Sequence, residues 1–437
     1  MNATLADAPT ATSTPTAAPR SGLAAQVAQE DLARALAFVR TAGAGARRGG
    51  RHVLLQHDGT ALTVTGGDHD RDRTVEASVR LVCPGRKGRV VALAADLPAL
   101  VKAIGRRATV HLSVGAAAGD DFDARTGTGR RLFVEGADAS YAVPLGHPDD
   151  DWSDLDAGPA VLLATMTGEA MAAAARPAYA ASPDETLPIL TAVRVHLDDG
   201  HIVTAATDRY RLARAAAPAT VAEPVAGLLV PARPLAALAD RWRAERAVWW
   251  HRLDGPPGQR DYVRWSSGEE TWTQLAVDGE YPRIDQLLPD VTGARVWVDV
   301  DRVALLTAFA RVSVLAAMND PLRLALVSGP DGATLRVTST SHGGEARTAV
   351  TVTGWAEPDD NAERITIALN RGFAPGLLRS LTATTVRLVF HESQPTQKPV
   401  VALQSPVRPA PAADDLAATP EPDDLLVSLL MPVRMAG

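Results

Sequence analysis

Few side chains in this chain are arranged for bond-making chemistry. Its ten histidines are scattered, with no His-x-x-x-His pair to place two imidazoles on one helical face. The single cysteine, Cys83, rules out a disulfide framework or a four-thiolate zinc site within one chain and fits a reducing cytoplasm. Asp149-Asp150-Asp151, after His147-Pro148, has the carboxylates for a cation. It stands where a later repeat carries Tyr281-Pro282 to Pro289, however, and is read as a polar inter-domain turn. Gly85-Arg-Lys-Gly88 and Gly127-Thr-Gly129 are too short to cradle a triphosphate, which needs GxxxxGK[ST]. No Ser-His-Asp set or carboxylate pair can be picked out by spacing, although such groups can converge in a fold from anywhere in a chain. The expectation is a protein that is not an enzyme, with no metal and no cofactor.

Three apolar motifs remain without a catalytic reading. Leu187-Pro-Ile-Leu-Thr-Ala-Val193 runs into Ala206-Thr-Asp-Arg-Tyr-Arg-Leu-Ala213, Gly279-Glu-Tyr-Pro-Arg-Ile-Asp-Gln-Leu-Leu-Pro289 follows, and Leu429-Leu-Met-Pro-Val-Arg-Met435 ends the chain. For any one of their leucines, plain core packing is the simplest reading. The terminal run would fray unless it pairs as a strand and contributes to a site.

The elements that must position these motifs repeat along the chain. Three segments each read as a helix, a strand, an Asp-Gly turn and a second strand. The helices are marked by Leu32, Leu36 and Val39, by Glu169 to Ala180, and by Leu306, Phe309 and Val312. The turns are Asp58-Gly59, Asp199-Gly200 and Asp331-Gly332. Asp-Gly between apolar runs signals a type I′ hairpin, which needs positive φ at both central residues. Each segment has a second half built on another helix, carrying Leu97, Val101 and Ile104, then Leu235, Leu238 and Trp242, then Phe373, Leu377 and Leu381. Pro177 interrupts the first helix of the second segment.

The expected fold is α+β, with three tandem domains over 26–155, 156–291 and 292–437 and helices on one side of antiparallel sheets. Residues 1–25 read as a disordered tail without the marks of a signal peptide, and 405–424 as a flexible insertion before the last strand. The 437 residues, 46% of them hydrophobic, suffice for such cores. No run of 18 apolar residues calls for a membrane.

A net charge of −7 argues against a surface that wraps nucleic acid throughout. In the helical segments, however, basic residues outnumber acidic ones, while acids gather in turns such as Asp423-Asp424. Arg40, Lys102, Arg106, Arg107, Arg241, Arg243 and Arg246 stand at or near helix ends, and Arg47, Arg48 and Arg51 lie in a Gly-rich loop. Singly, each could be no more than a solvated arginine.

In order and spacing, across residues 26 to 437, the three apolar motifs resemble those of the bacterial DNA polymerase III beta subunit, the beta sliding clamp family. The resemblance implies three clamp domains per chain and a head-to-tail homodimer closing a six-domain ring around duplex DNA. Helices would line the hole, with the basic residues above facing DNA without reading its sequence. It implies a pocket for short linear peptides of the replicative polymerase, the clamp loader and repair proteins. From the first motif the pocket would take Leu190, Thr207, Arg209, Tyr210, Arg211 and Leu212. From the second it would take Pro282 and Leu287, and from the third Leu429, Met431, Pro432, Val433 and Arg434. It also implies a dimer contact between an edge strand near Thr109 to Val114, with Val110 and Leu112, and the end of a third-domain helix, with Val314 and Leu315. Val314 and Leu315 could each equally be core. Where many family members carry Gly-His, this chain has Arg209-Tyr210, and Gln286 stands where arginine is common. The alternative is therefore a divergent paralogue, serving as an inhibitor-resistant copy or as a client-binding scaffold not loaded on DNA.

Overall fold

The computed structural model describes residues 22–43, 52–67, 73–93, 97–116, 129–145, 157–287, 294–317, 320–329, 332–341, 344–356, 366–391, 398–404 and 427–433. Arg47, Arg48, Arg51, Arg434, Asp149 to Asp151 and the 405–424 segment lie outside them. The chain separates into two compact units: Met1–Asp156 with Glu269–Gln274, and Ala157–Gly268 with Leu275–Gly437.

In the first unit, helix α1 (Gln29–Gly43) buries Leu32, Leu36 and Val39 against strands Ala61–Gly67 and Arg73–Arg86. The i, i+4, i+7 spacing of those three residues gives the helix one apolar stripe. Helix α2 (Leu97–Ala103) follows, with Leu97 and Val101 buried. Residues 73–77 of the long strand pair with Glu270–Gln274, whose Trp272 meets Phe38 of α1 edge-on at 6.4 Å. Residues 81–86 pair with Ala24–Ala28.

Strand Thr109–Ala116 is not an edge. It pairs on one side with Ala24–Ala28 and on the other with Arg130–Glu135. Val110 and Leu112 alternate inward and are buried at 0% and 2% exposure. The expectation of an edge strand there is corrected by this two-sided pairing, which leaves their side chains no surface for a partner.

In the second unit, helix α3 (Gly168–Ala175) is capped by Thr167, whose hydroxyl accepts from the Ala170 N–H at 3.1 Å. At Pro177, where the sequence predicts an interruption, the helix tightens into a 3-10 turn, Arg176–Ala180, because proline has no N–H to continue the α ladder. Helix α4 (Ala232–Arg241) buries Leu235, Leu238 and Ala239, with Trp242 buried just beyond its end. The two helices meet at Gly168, where an added Cβ would lie 1.8 Å from the Trp242 carbonyl oxygen. Helix α5 (Arg302–Val312) is capped by Asp301 and buries Leu305, Ala308, Phe309 and Val312. Its buried face thus runs through Leu305 rather than the half-exposed Leu306. Helix α6 (Ala374–Ser380) buries Ala374, Leu377 and Leu378.

One twelve-stranded antiparallel sheet runs through the second unit. Its second and third repeats are joined where Arg211–Pro218 pairs with the last strand, Val427–Leu430, from Arg211 opposite Leu430 to Arg214 opposite Val427. Pairing gives the chain-terminal apolar run the partner it needs against fraying.

The first two Asp-Gly pairs lie at hairpins, yet with different turns. Asp199 and Gly200 both have positive φ, 43° and 80°, as a type I′ turn requires. At the first hairpin only Gly59 is positive, and the Asp58 carboxylate accepts the Thr60 and Ala61 N–H groups. Those bonds, the one from Ala61 foremost, hold its carboxyl well below the usual range. At the third, Gly329 pairs with Gly332, and Asp331 lies outside the described residues.

Candidate functional site

The site is built around a tight turn, Thr207 to Arg211, between strands His201–Thr207 and Arg211–Pro218. Its own side chains close it. The Asp208 carboxylate accepts the N–H groups of Tyr210 and Arg211, both at 3.0 Å. Thr207 Oγ1 accepts the Arg209 N–H at 3.1 Å and donates to the Arg211 carbonyl at 2.7 Å. Arg209 is held at φ 79°, a left-handed conformation that costs an L-residue on the order of 1–2 kcal/mol and persists because these bonds over-determine it. The turn points Arg209 and Tyr210 outward and folds Arg211 back.

Arg211 is the keystone. Its Nε donates to Asp208 Oδ2 at 2.9 Å, with the two side chains only 12% and 6% exposed. The guanidinium lies 5.5 Å from the Tyr179 ring centroid and 4.6 Å from that of Phe373. Tyr179 comes from the 3-10 turn after α3, and Phe373 from the start of α6. One planar cation therefore ties the second repeat to the third. Burial pushes the Tyr179 hydroxyl up to about 12.

The other two motifs arrive on this frame. The Met431 N–H donates to the Tyr210 carbonyl at 2.9 Å, and the Val433 N–H to the Ala368 carbonyl at 2.7 Å. Tyr281 accepts the Thr207 N–H at 3.0 Å, and burial raises its hydroxyl to about 12. Ile284 packs in one apolar cluster with Leu212, Leu429, Ala205, Val389 and Val401. Leu190 is buried next door, its carbonyl accepting the Ser182 N–H, beside the Ala181 carbonyl that Arg211 also reaches.

Leu190, Leu212 and Leu429 are buried, while Tyr210, Leu287 and Met431 are exposed at 62%, 59% and 40%. Pro282 is exposed and Pro432 and Val433 are half-buried. Exposed apolar side chains next to buried ones are what a short peptide with a few anchoring side chains can use. Tyr210 stacks on Phe373 at 6.2 Å, which narrows the site from one side.

Sequence reading passed over Asp208, Tyr179, Phe373 and Ile284 as members of the site. Asp208 lies within the first apolar motif, where its spacing to Arg211 was the available signal. Phe373 read only as a helix-face residue, and Tyr179 was hidden by the break at Pro177.

The basic positions Arg40, Lys102, Arg106, Arg107, Arg241, Arg243 and Arg246 are all exposed at or just beyond the ends of α1, α2 and α4. Arg243 bonds Asp240 at 3.2 Å. Val314 and Leu315, just after α5, are 80% and 57% exposed and so are not core. Arg371 holds the segment beyond them by donating to the Ala316 and Ala317 carbonyls. Among the described residues, no group of three or more His, Cys, Asp or Glu side chains is placed to hold a metal, and no helix is long and apolar enough to cross a membrane.

Residues 169–283 match the family model of the DNA polymerase III beta subunit, central domain. A beta sliding clamp of Micrococcus luteus is 39% identical over 169 residues, which span 38% of this chain and 52% of that protein. The beta sliding clamp of Streptomyces coelicolor is 28% identical over 276 residues, 62% of this chain and 67% of that one. The match thus covers about half the length of the first relative. The solved sliding clamp of Pseudomonas aeruginosa bound to griselimycin superposes with a TM-score of 0.74 at 20% identity, covering 95% of this chain and all of that one. The beta subunit of Thermotoga maritima gives 0.72 at 18% identity, with 95% and 100% covered. At such identities the structural likeness establishes the fold, a multi-domain α+β clamp fold.

Proposed function

On the premise of the bacterial beta-clamp family, which these likenesses support, we propose that this chain is a DNA sliding clamp, a non-catalytic processivity factor of the cytoplasm. Two copies, each of three tandem domains, close head to tail into a ring around duplex DNA. The pocket tethers the replicative polymerase, the clamp loader and repair proteins through short peptides.

The observation that supports this reading is that residues of three distant motifs lie together, with Arg211 between Tyr179 and Phe373. The exposed arginines and lysine at helix ends suit sliding, because phosphate contacts position a protein without reading sequence. Val314 and Leu315 are the apolar anchors of the dimer contact, without Val110 and Leu112, which are committed to the core.

Retention on nicked circular DNA, with a clamp loader and ATP, tests the proposal. Protein retained on the circle and lost on linearisation is the expected result. No retention from folded protein, beside a working loader control, overturns it. Leu315→Asp converts the dimer to monomer in sedimentation velocity, with unfolding changed by less than about 0.5 kcal/mol at this exposed position.

A second reading, a paralogue that keeps the pocket without being loaded on DNA, is favoured by Arg209-Tyr210 and the stack of Tyr210 on Phe373. A monomeric wild-type protein that binds client peptides identifies it.

A further inference from the structure

A second recess lies on the same sheet, lined by Arg194, His196, Val203, Thr204, Ala205 and Arg214. Its charge follows from register. Arg194 stands directly opposite Ala205, and Ala205 directly opposite Arg214 on the next strand. Two guanidinium arms therefore flank a methyl group, their Cα atoms on the order of 10 Å apart from two strand spacings. His196 opposite Val203 forms the next row. None of the lining residues is acidic, and the carboxylate near His196, Asp198, is 3.9 Å away on an exposed side chain.

The recess faces away from the helices. Thr204 sends its hydroxyl to the Ala174 carbonyl of α3, so its neighbours Val203 and Ala205 alternate to the opposite face. It also adjoins the pocket. Ala205 belongs to the apolar cluster of Leu212, Ile284 and Leu429, and Thr207 is two residues along the strand, about 7 Å. Tyr281, which accepts the Thr207 N–H, is near enough to Arg194 to feel its charge.

We propose that this recess is an anion site that takes the acidic side chains of a client peptide whose apolar anchors occupy the neighbouring pocket. Two forked guanidiniums suit carboxylates, and a segment with apolar residues beside acidic ones matches both surfaces in turn. The choice of a peptide over nucleic acid rests on the clamp reading, in which DNA lies against the helices on the other face.

The test uses the full chain and fluorescein-labelled tetra-glutamate, read by anisotropy at low salt. Tetra-glutamate has no apolar anchor, so the outcome is independent of the pocket, and a failed recess leaves the pocket reading standing. The expected result is saturable binding that weakens at least tenfold in the Arg194→Gln, Arg214→Gln double variant and is unchanged in Met431→Ala. The Arg194→Glu, Arg214→Glu variant then binds labelled tetra-lysine where the wild type does not, which a misfolded protein cannot do. Absent binding to the wild type, or equal binding by the glutamine variant, overturns the proposal. So does a labelled 12-base-pair duplex whose binding drops as far as that of tetra-glutamate in the double variant.

Discussion

An Asp208→Ala substitution removes a carboxylate that serves three bonds at once, the two turn N–H groups at 3.0 Å and Arg211 Nε at 2.9 Å. With the pair only 6% and 12% exposed, solvent screens it little. Stripping one partner from a buried ion pair costs about 3–5 kcal/mol, since the other charge is left uncompensated. Asp208→Asn keeps an acceptor oxygen for the two N–H groups and loses only the charged bond, roughly 1.5–3 kcal/mol. Against a domain stability of about 5–15 kcal/mol, the alanine variant is severely weakened and the asparagine variant is intermediate. Urea unfolding followed by tryptophan fluorescence reads this, because Trp242, Trp250 and Trp265 are buried in the same unit. Combining Asp208→Asn with Arg211→Met gives a coupling energy of about 1.5 kcal/mol or more, as for residues in one network. An alanine variant within about 1 kcal/mol of wild type, or indistinguishable from the asparagine variant, refutes the assignment of Asp208 as the anchor of Arg211 and of the turn.

Tyr210→Ala removes the stack on Phe373, and an aromatic pair contributes about 0.5–1.5 kcal/mol. Isothermal titration with an apolar client peptide is expected to show a several-fold change in Kd with little change in unfolding. Trp272→Ala empties a buried site against Phe38 and Arg73 and destabilises the first unit by about 3–5 kcal/mol in urea titrations. Alkali weakens the second unit. Tyr179 and Tyr281 hold their protons to about 12 in the fold against 10 in the open chain, so their stabilisation is complete below pH 10 and is lost as pH rises towards 12. Tyr179→Phe flattens the fall in urea midpoint between pH 9 and 11.5.

Much of this molecule was legible from local pattern. The faces of α1 and α4 follow from apolar spacing, and the hairpins from Asp-Gly, because both signals act between residues a few positions apart. The motif residues Thr207 to Leu212 and Leu429 to Val433 stand out by their resemblance to motifs of the beta sliding clamp family. Their meeting is decided by one strand pairing, Arg211 with Leu430, over more than two hundred residues. Tertiary context also overruled local expectation. Val110 and Leu112 looked like an edge until neighbours on both sides covered them, and Val314 and Leu315 looked as much like core as surface until the end of α5 left them in solvent. Side-chain type and short spacing specify an element and its apolar face. Which elements become neighbours, and so which arginine lies between Tyr179 and Phe373 or across an alanine from another arginine, depends on sheet register and on helices that pack only once the chain has closed.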